Sequence, residues 1–241
     1  MNLKIFESYQ SLSEYTAEEI LKQIESKPDS VICLAAGDTP RLAYQILARK
    51  LNEKKTDLSK CSIIGLDEWV GIPPDNEGSC QYFLRNELLN LVNISASQVH
   101  LFNALSDDLA RECRIMNELI KARNGLDLMI VGVGMNGHIG FNEPGVSFDI
   151  YSHVIDLDNT TQSVGQKYFK TKTSLNKGIT LGLKHLTESR KAILIANGSK
   201  KSNVIKAIVE GPIDSGMPAT VMKTHHNGWV VIDKEAANSL I

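Results

Sequence analysis

Residues able to move protons cluster in two short stretches. In Gly132-Val133-Gly134-Met135-Asn136-Gly137-His138-Ile139-Gly140-Phe141-Asn142-Glu143-Pro144-Gly145, a histidine precedes a glutamate on a glycine-rich loop. An imidazole titrates near neutral pH and can trade a proton with a hydroxyl, and a nearby carboxylate can share it. The Asn136 amide can orient the ring but cannot hold a proton or a charge. The second stretch, Asp67-Glu68-Trp69, follows the apolar run Ser62 to Leu66. A carboxylate at a strand end can act as a general base, which contributes about 10²–10⁴-fold to a rate. Each residue alone has a plainer reading: His138 as a turn histidine bonded to backbone, Glu143 as a solvated loop charge, Asp67 as a cap on the turn at Trp69. A histidine and a glutamate together in one such loop make the proton-transfer reading at least as good.

Anion binding has its own candidates. Ala35-Ala36-Gly37-Asp38-Thr39-Pro40 follows Val31 to Leu34 and precedes a helical pattern. Gly37 allows close approach of backbone to a ligand, Asp38 or Thr39 is expected to cap the helix, and Pro40 suits its first turn. The free N–H groups there would hold a phosphate, although a plain capped turn also fits and Asp38 opposes an anion.

Two other motifs point away from cofactors. Gly132, Gly134 and Gly137 spell GxGxxG, but a dinucleotide site needs a helix directly after the third glycine, and Gly140, Asn142, Pro144 and Gly145 break one. His138 and Glu143 lack the helical spacing of a zinc motif, and the side chains of His225 and His226 are expected to point apart. These motifs therefore favour neither a dinucleotide nor zinc.

Strand-like runs at Ser30–Leu34, Ser62–Leu66, Leu126–Val133, Ala192–Ala196 and Trp229–Ile232 must position these loops. Helical spacing at Arg41–Asn52, Leu109–Ala122 and Ser199–Glu210 alternates with them. This pattern predicts an α/β fold: a three-layer, open, mostly parallel sheet with helices on both faces, in one domain spanning 1–241. Ligands then bind beyond the carboxyl ends of the strands, where both reactive stretches lie. The segment from Phe148 to Lys177, polar and between sheet-forming runs, is expected to be a mobile cover.

Composition narrows the function further. A content of 42% hydrophobic residues allows a large core, and a net charge of -2 argues against nucleic acid as a partner. The first ten residues lack the pattern of a signal peptide, and no apolar run is long enough to span a bilayer. Cys33, Cys61, Cys80 and Cys113 are scattered, with Cys33 and Cys61 expected in strands, so a cytoplasmic protein with free thiols is expected. A homo-oligomer is compatible with the sequence.

Taken together, Gly65-Leu66-Asp67-Glu68-Trp69-Val70-Gly71-Ile72-Pro73, the Gly132–Gly145 loop and the Ala35–Pro40 loop resemble the glucosamine-6-phosphate deaminase and galactosamine-6-phosphate isomerase family, from Ile32 to about Asp233. The resemblance implies that His138 opens the sugar ring, with Glu143 as its relay partner and Asn136 where some members have aspartate. It implies that Asp67 carries a proton between C2 and C1 through an enediol-like intermediate, after which ammonia leaves. It also implies that no metal and no organic cofactor take part and that Ala36, Gly37, Asp38, Thr39, Lys167 and Lys201 bind the phosphate; Lys201, in Asn197-Gly198-Ser199-Lys200-Lys201-Ser202, opens a helix where its ammonium and the helix N–H groups can act on one anion, although a solvated lysine also fits. Ala36, Asp38 and Lys167 depart from threonine, serine and arginine in many members. The stretches Ile32–Ala35, Leu66–Trp69 and Lys177–Lys184 look closer to galactosamine-6-phosphate isomerases, so the expected reaction is galactosamine-6-phosphate to tagatose-6-phosphate plus ammonia. Glucosamine-6-phosphate deamination, a 6-phosphogluconolactonase-like hydrolase and a non-catalytic sugar-phosphate-binding regulator are the alternatives.

Overall fold

Ten short runs become strands in this computed structural model, which describes residues 1–240. They are β1 (Asn2–Phe6), β2 (Val31–Leu34), β3 (Ser62–Gly65), β4 (Asp67–Trp69), β5 (Val99–His100), β6 (Leu128–Val131), β7 (His153–Asp156), β8 (Lys177–Thr180), β9 (Ala192–Ala196) and β10 (Gly228–Asp233). Seven form one sheet in the order β1-β10-β9-β6-β2-β3-β5, with every pairing parallel. The helices are α1 (Tyr9–Ser26), α2 (Asp38–Lys54), α3 (Cys80–Glu87), α4 (Leu109–Ala122), α5 (Asn159–Gly165), α6 (Leu183–Glu188) and α7 (Ser202–Glu210).

The period-two alternation of a strand divides the core into two layers. Ile32 and Leu34 of β2, Leu128 and Ile130 of β6, and Ile193 and Ile195 of β9 pack with Leu12, Ile20, Tyr44 and Leu47 from α1 and α2. Val31 and Cys33, Met129 and Val131, and Leu194 and Ala196 turn the other way, toward Met116 of α4, Leu186 of α6 and Ile205 of α7. Burial on both faces explains why β2, β3, β6 and β9 read as continuous apolar runs.

The fold agrees with the expected three-layer sheet, with several local differences. A second sheet, β4-β8-β7, is antiparallel, and it pairs Asp67 with Thr180 across more than a hundred residues of sequence. β6 stops at Val131 rather than Val133, since glycines begin there. A 3-10 turn, Ser199–Lys201, precedes α7 instead of one continuous helix. Helix α2 begins at Asp38, and the position ahead of it is Gly37, at φ 118°, with no side-chain cap; Asp38 and Thr39 are both engaged elsewhere. The expected cover is not uniform, because β7 lies inside Phe148–Lys177 and belongs to the small sheet. Cys61 lies just before β3 rather than in it, and all four cysteines are free and buried. The rings of His225 and His226 do not point apart; they stack at 4.7 Å. Both His225 nitrogens are engaged, with Ser189 Oγ at 3.1 Å and Asn227 N–H at 2.9 Å.

Candidate active site

The strand order turns outward in both directions from the neighbours β2 and β6. Loops leaving the carboxyl ends of adjacent parallel strands diverge at such a point and leave a crevice. Here the loops after β2, β3, β6 and β9 line a cavity of about 470 Å³, within the range of small-molecule sites. Ala36, Gly37, Asp38, Thr39, Asp67, His138, Lys167 and Lys201 all line it. Asn136 and Glu143 do not; they stand behind His138.

Asp67 opens β4, where the chain leaves the parallel sheet for the antiparallel one. Its neighbour Glu68 is completely buried and turned away from the cavity lining. The Glu68 carboxylate accepts from the Trp69, Cys80 and Gln81 N–H groups, each at 2.9 Å. Two of these donors open α3, so the carboxylate staples β4 to that helix. Burial and the nearby Glu68 charge push Asp67 up to about 7, against a hydrogen bond from Cys80. A carboxyl poised there suits proton transfer near neutral pH. Glu68 escaped the sequence reading because its charge resembles any other loop carboxylate; the only signal is its place beside Asp67.

His138 is fixed from one edge. Its Nδ1 lies 3.1 Å from Thr161 Oγ1 and 3.5 Å from Glu143 Oε2. Asn136 braces this relay: its Nδ2 donates to Glu143 Oε2 at 2.9 Å, and its Oδ1 accepts from the His138 backbone N–H at 3.3 Å. Burial raises the Glu143 carboxyl, but hydrogen bonds from His138, Thr161 and Asn136 outweigh it and hold the group below the usual carboxylate range. An ionised Glu143 therefore faces Nδ1, which leaves Nε2 as the nitrogen for a ligand. Gly134 makes the room, since a Cβ there would lie 2.3 Å from the ring. Thr161, on α5, is a further partner that sequence spacing did not reveal.

Lys167 and Lys201 bring cations to the same cavity. The Lys201 ammonium donates to Val133 O at 2.6 Å, and burial, with Lys167 nearby, pushes it down to about 8. Lys167 donates to Asp38 Oδ2 at 2.7 Å, and Thr39 Oγ1 donates to Asn197 Oδ1 at 2.8 Å. Helix α2 points its uncapped start at the same region. An anion and a proton-transfer pair can thus be served within one cavity.

The covering segment is held by an aromatic cluster. Trp69 packs against Phe141 at 4.5 Å and Phe169 at 6.1 Å between ring centroids, and both Trp69 and Phe141 line the cavity. No group of three or more His, Cys, Asp or Glu side chains is arranged for a metal among the described residues. No helix follows Gly137, so the GxGxxG match lacks the geometry of a dinucleotide site.

Comparison with known proteins agrees with this architecture. A family model described as glucosamine-6-phosphate isomerases/6-phosphogluconolactonase matches residues 6–232. A glucosamine-6-phosphate deaminase of Thermoanaerobacter sp. (strain X514) is 38% identical over 239 residues, 99% of this chain and 94% of the relative. One from Clostridium botulinum (strain Hall) is 36% identical over 241 residues, 100% of this chain and 99% of the relative. A solved monomeric glucosamine-6-phosphate deaminase superposes with a TM-score of 0.96 at 31% identity, covering 99% of this chain and 100% of that one. The 6-phosphogluconolactonase of Trypanosoma brucei shares the fold, with a TM-score of 0.79 at 19% identity over 100% of this chain and 98% of its own.

Proposed function

This chain belongs to the family of glucosamine-6-phosphate isomerases and 6-phosphogluconolactonases, and from that premise we propose that it is an isomerising deaminase of glucosamine-6-phosphate. The single observation behind this reading is that Asp67 and the Glu143-backed His138 line one cavity with Lys167 and Lys201. Relatives named for glucosamine-6-phosphate favour the gluco sugar over the galacto sugar that the short sequence stretches suggested.

In this reading the sugar phosphate sits against Lys201, Lys167 and the Gly37–Thr39 backbone. His138 takes the anomeric hydroxyl proton and returns one to the ring oxygen, which opens the ring. Asp67 removes the C2 proton of the open aldehyde while the substrate's own ammonium gives a proton to O1, forming a neutral enaminol, and Asp67 then delivers its proton to C1. The resulting C2 iminium adds water and expels ammonia, leaving fructose-6-phosphate. Glu143 stays ionised and balances the imidazolium; Asn136 holds the two in register. We read residues 1–241 as one such domain, because β1 and β10, from opposite ends of the chain, pair in one sheet. A cytoplasmic location fits four free, buried cysteines.

Ammonia release measured with glucosamine-6-phosphate and galactosamine-6-phosphate, beside acid release from 6-phosphogluconolactone, tests the assignment. The gluco sugar should give the highest kcat/KM. A preference for the galacto sugar restores the other epimer, and acid release from the lactone without ammonia replaces the deaminase with a hydrolase.

A further inference from the structure

Asp38 is an anion in a place otherwise arranged to attract anions. It is the first residue of α2, it lines the cavity, and no side chain caps the helix ahead of it. Its carboxylate accepts from Lys167 Nζ at 2.7 Å, and Arg41 Nη2 lies 3.6 Å away. Lys167 sits on the covering segment, in the 3-10 turn Gln166–Tyr168 that follows α5. The pair therefore ties the cover to the start of α2. The Lys167 and Asp38 side chains are 50% and 58% exposed, so solvent screens the pair and a stronger anion can break it. Lys201 lies close enough to Lys167 for the two charges to oppose each other, so the second cation is already in place for an incoming anion.

We propose that Asp38 is a specificity-determining residue that holds Lys167 as an internal anion until the phosphate of the substrate displaces it. This rests on the phosphate assignment made above. A phosphate dianion brings more charge than one carboxylate and takes Lys167 over while gaining Lys201 and the α2 N–H groups. A monoanionic ligand gains little over Asp38 and is turned away. Selectivity for phosphorylated sugars is then set at the cost of raw affinity.

Calorimetric titration of inorganic phosphate, which needs no turnover, tests this in the full chain. Asp38→Asn and the smaller Asp38→Ser should each tighten phosphate binding by about three- to tenfold, the effect of removing one nearby exposed charge. With Lys167→Ala already present, Asp38→Asn should lose most of that gain. Unchanged or weaker binding in both Asp38 variants overturns the proposal, as does no detectable binding in any protein. An equal gain without Lys167 also overturns it, since Asp38 would then act by general repulsion. Ammonia release from the wild type is read in parallel. Its absence, with phosphate still tightened by Asp38→Asn, removes the deaminase reading and leaves the role of Asp38 standing.

Discussion

Asp67 and Glu68 are consecutive carboxylates turned to opposite sides of β4, one onto the cavity and the other into the start of α3. The buried Glu68 thus holds the strand that carries the proposed base and also raises its proton affinity. Burial pushes Glu68 up to about 7 as well, so the two carboxyls titrate as a pair, and kcat/KM should show an acid limb near pH 7 as the pH falls through that range. Glu68→Gln removes the neighbouring charge and should move that limb to lower pH. A pH–rate profile in both proteins measures this; an unmoved limb means another group controls it.

The same burial should cost stability. Asp67 has a folded value of about 7 against an ordinary 3.8, so its contribution is fully present below 3.8 and lost as the pH rises through 7. Asp67→Asn should therefore stabilise the protein more at pH 8 than at pH 5, by on the order of 2 kcal/mol. Thermal unfolding at both values checks the sign. An equal change in Tm at the two would show that Asp67 titrates normally.

Lys201 should limit binding on the alkaline side. Its ammonium, pushed down to about 8, is lost as the pH rises through that value, and phosphate then meets one cation fewer. KM should rise above pH 8 while kcat changes less. Lys201→Ala should raise KM by about 10–100-fold, as expected for one charge-assisted hydrogen bond to a phosphate. A fall in kcat with unchanged KM would place Lys201 in the chemical step.

Gly134 offers a test of the imidazole that leaves its chemistry intact. An alanine Cβ would lie 2.3 Å from the His138 ring, which must swing away from Glu143 and Thr161. Gly134→Ala should lower kcat by about 10²-fold, since small displacements of a catalytic group carry penalties of this size. Gly132→Ala is the control, because a Cβ there meets nothing within 4 Å. Similar losses in both variants would mean that loop backbone, not ring position, is at stake.

The parallel core was legible because doubly buried strands such as Ala192–Ala196 leave unbroken apolar runs. The reactive loops were legible for a related reason: polar residues directly after such runs fall at carboxyl strand ends, which places Asp67 and His138 before any coordinates. Edge strand β1 was not, because Leu3 and Ile5 alternate with Asn2 and Lys4 over only five residues, too short a run to stand out, and both stay exposed. The small sheet was hidden by distance, since β4 has three residues and finds its partner at Gly178–Thr180. Glu68 and Thr161 were hidden as well: their roles depend on what folding brings against them, the start of α3 for one and the His138 ring for the other. At Asp38 a pairing with Lys167 overrode the capping preference of the residue type.

Deuterium incorporation most directly tests Asp67 as the C2–C1 proton carrier. Wild-type protein and Asp67→Asn are incubated with glucosamine-6-phosphate in D₂O, and the ketose product is read by NMR for deuterium at C1, with ammonia assayed alongside. The wild type should yield fructose-6-phosphate and ammonia in equal amounts with deuterium at C1, and Asp67→Asn should show neither exchange nor product. Full exchange and ammonia release by Asp67→Asn would contradict the account.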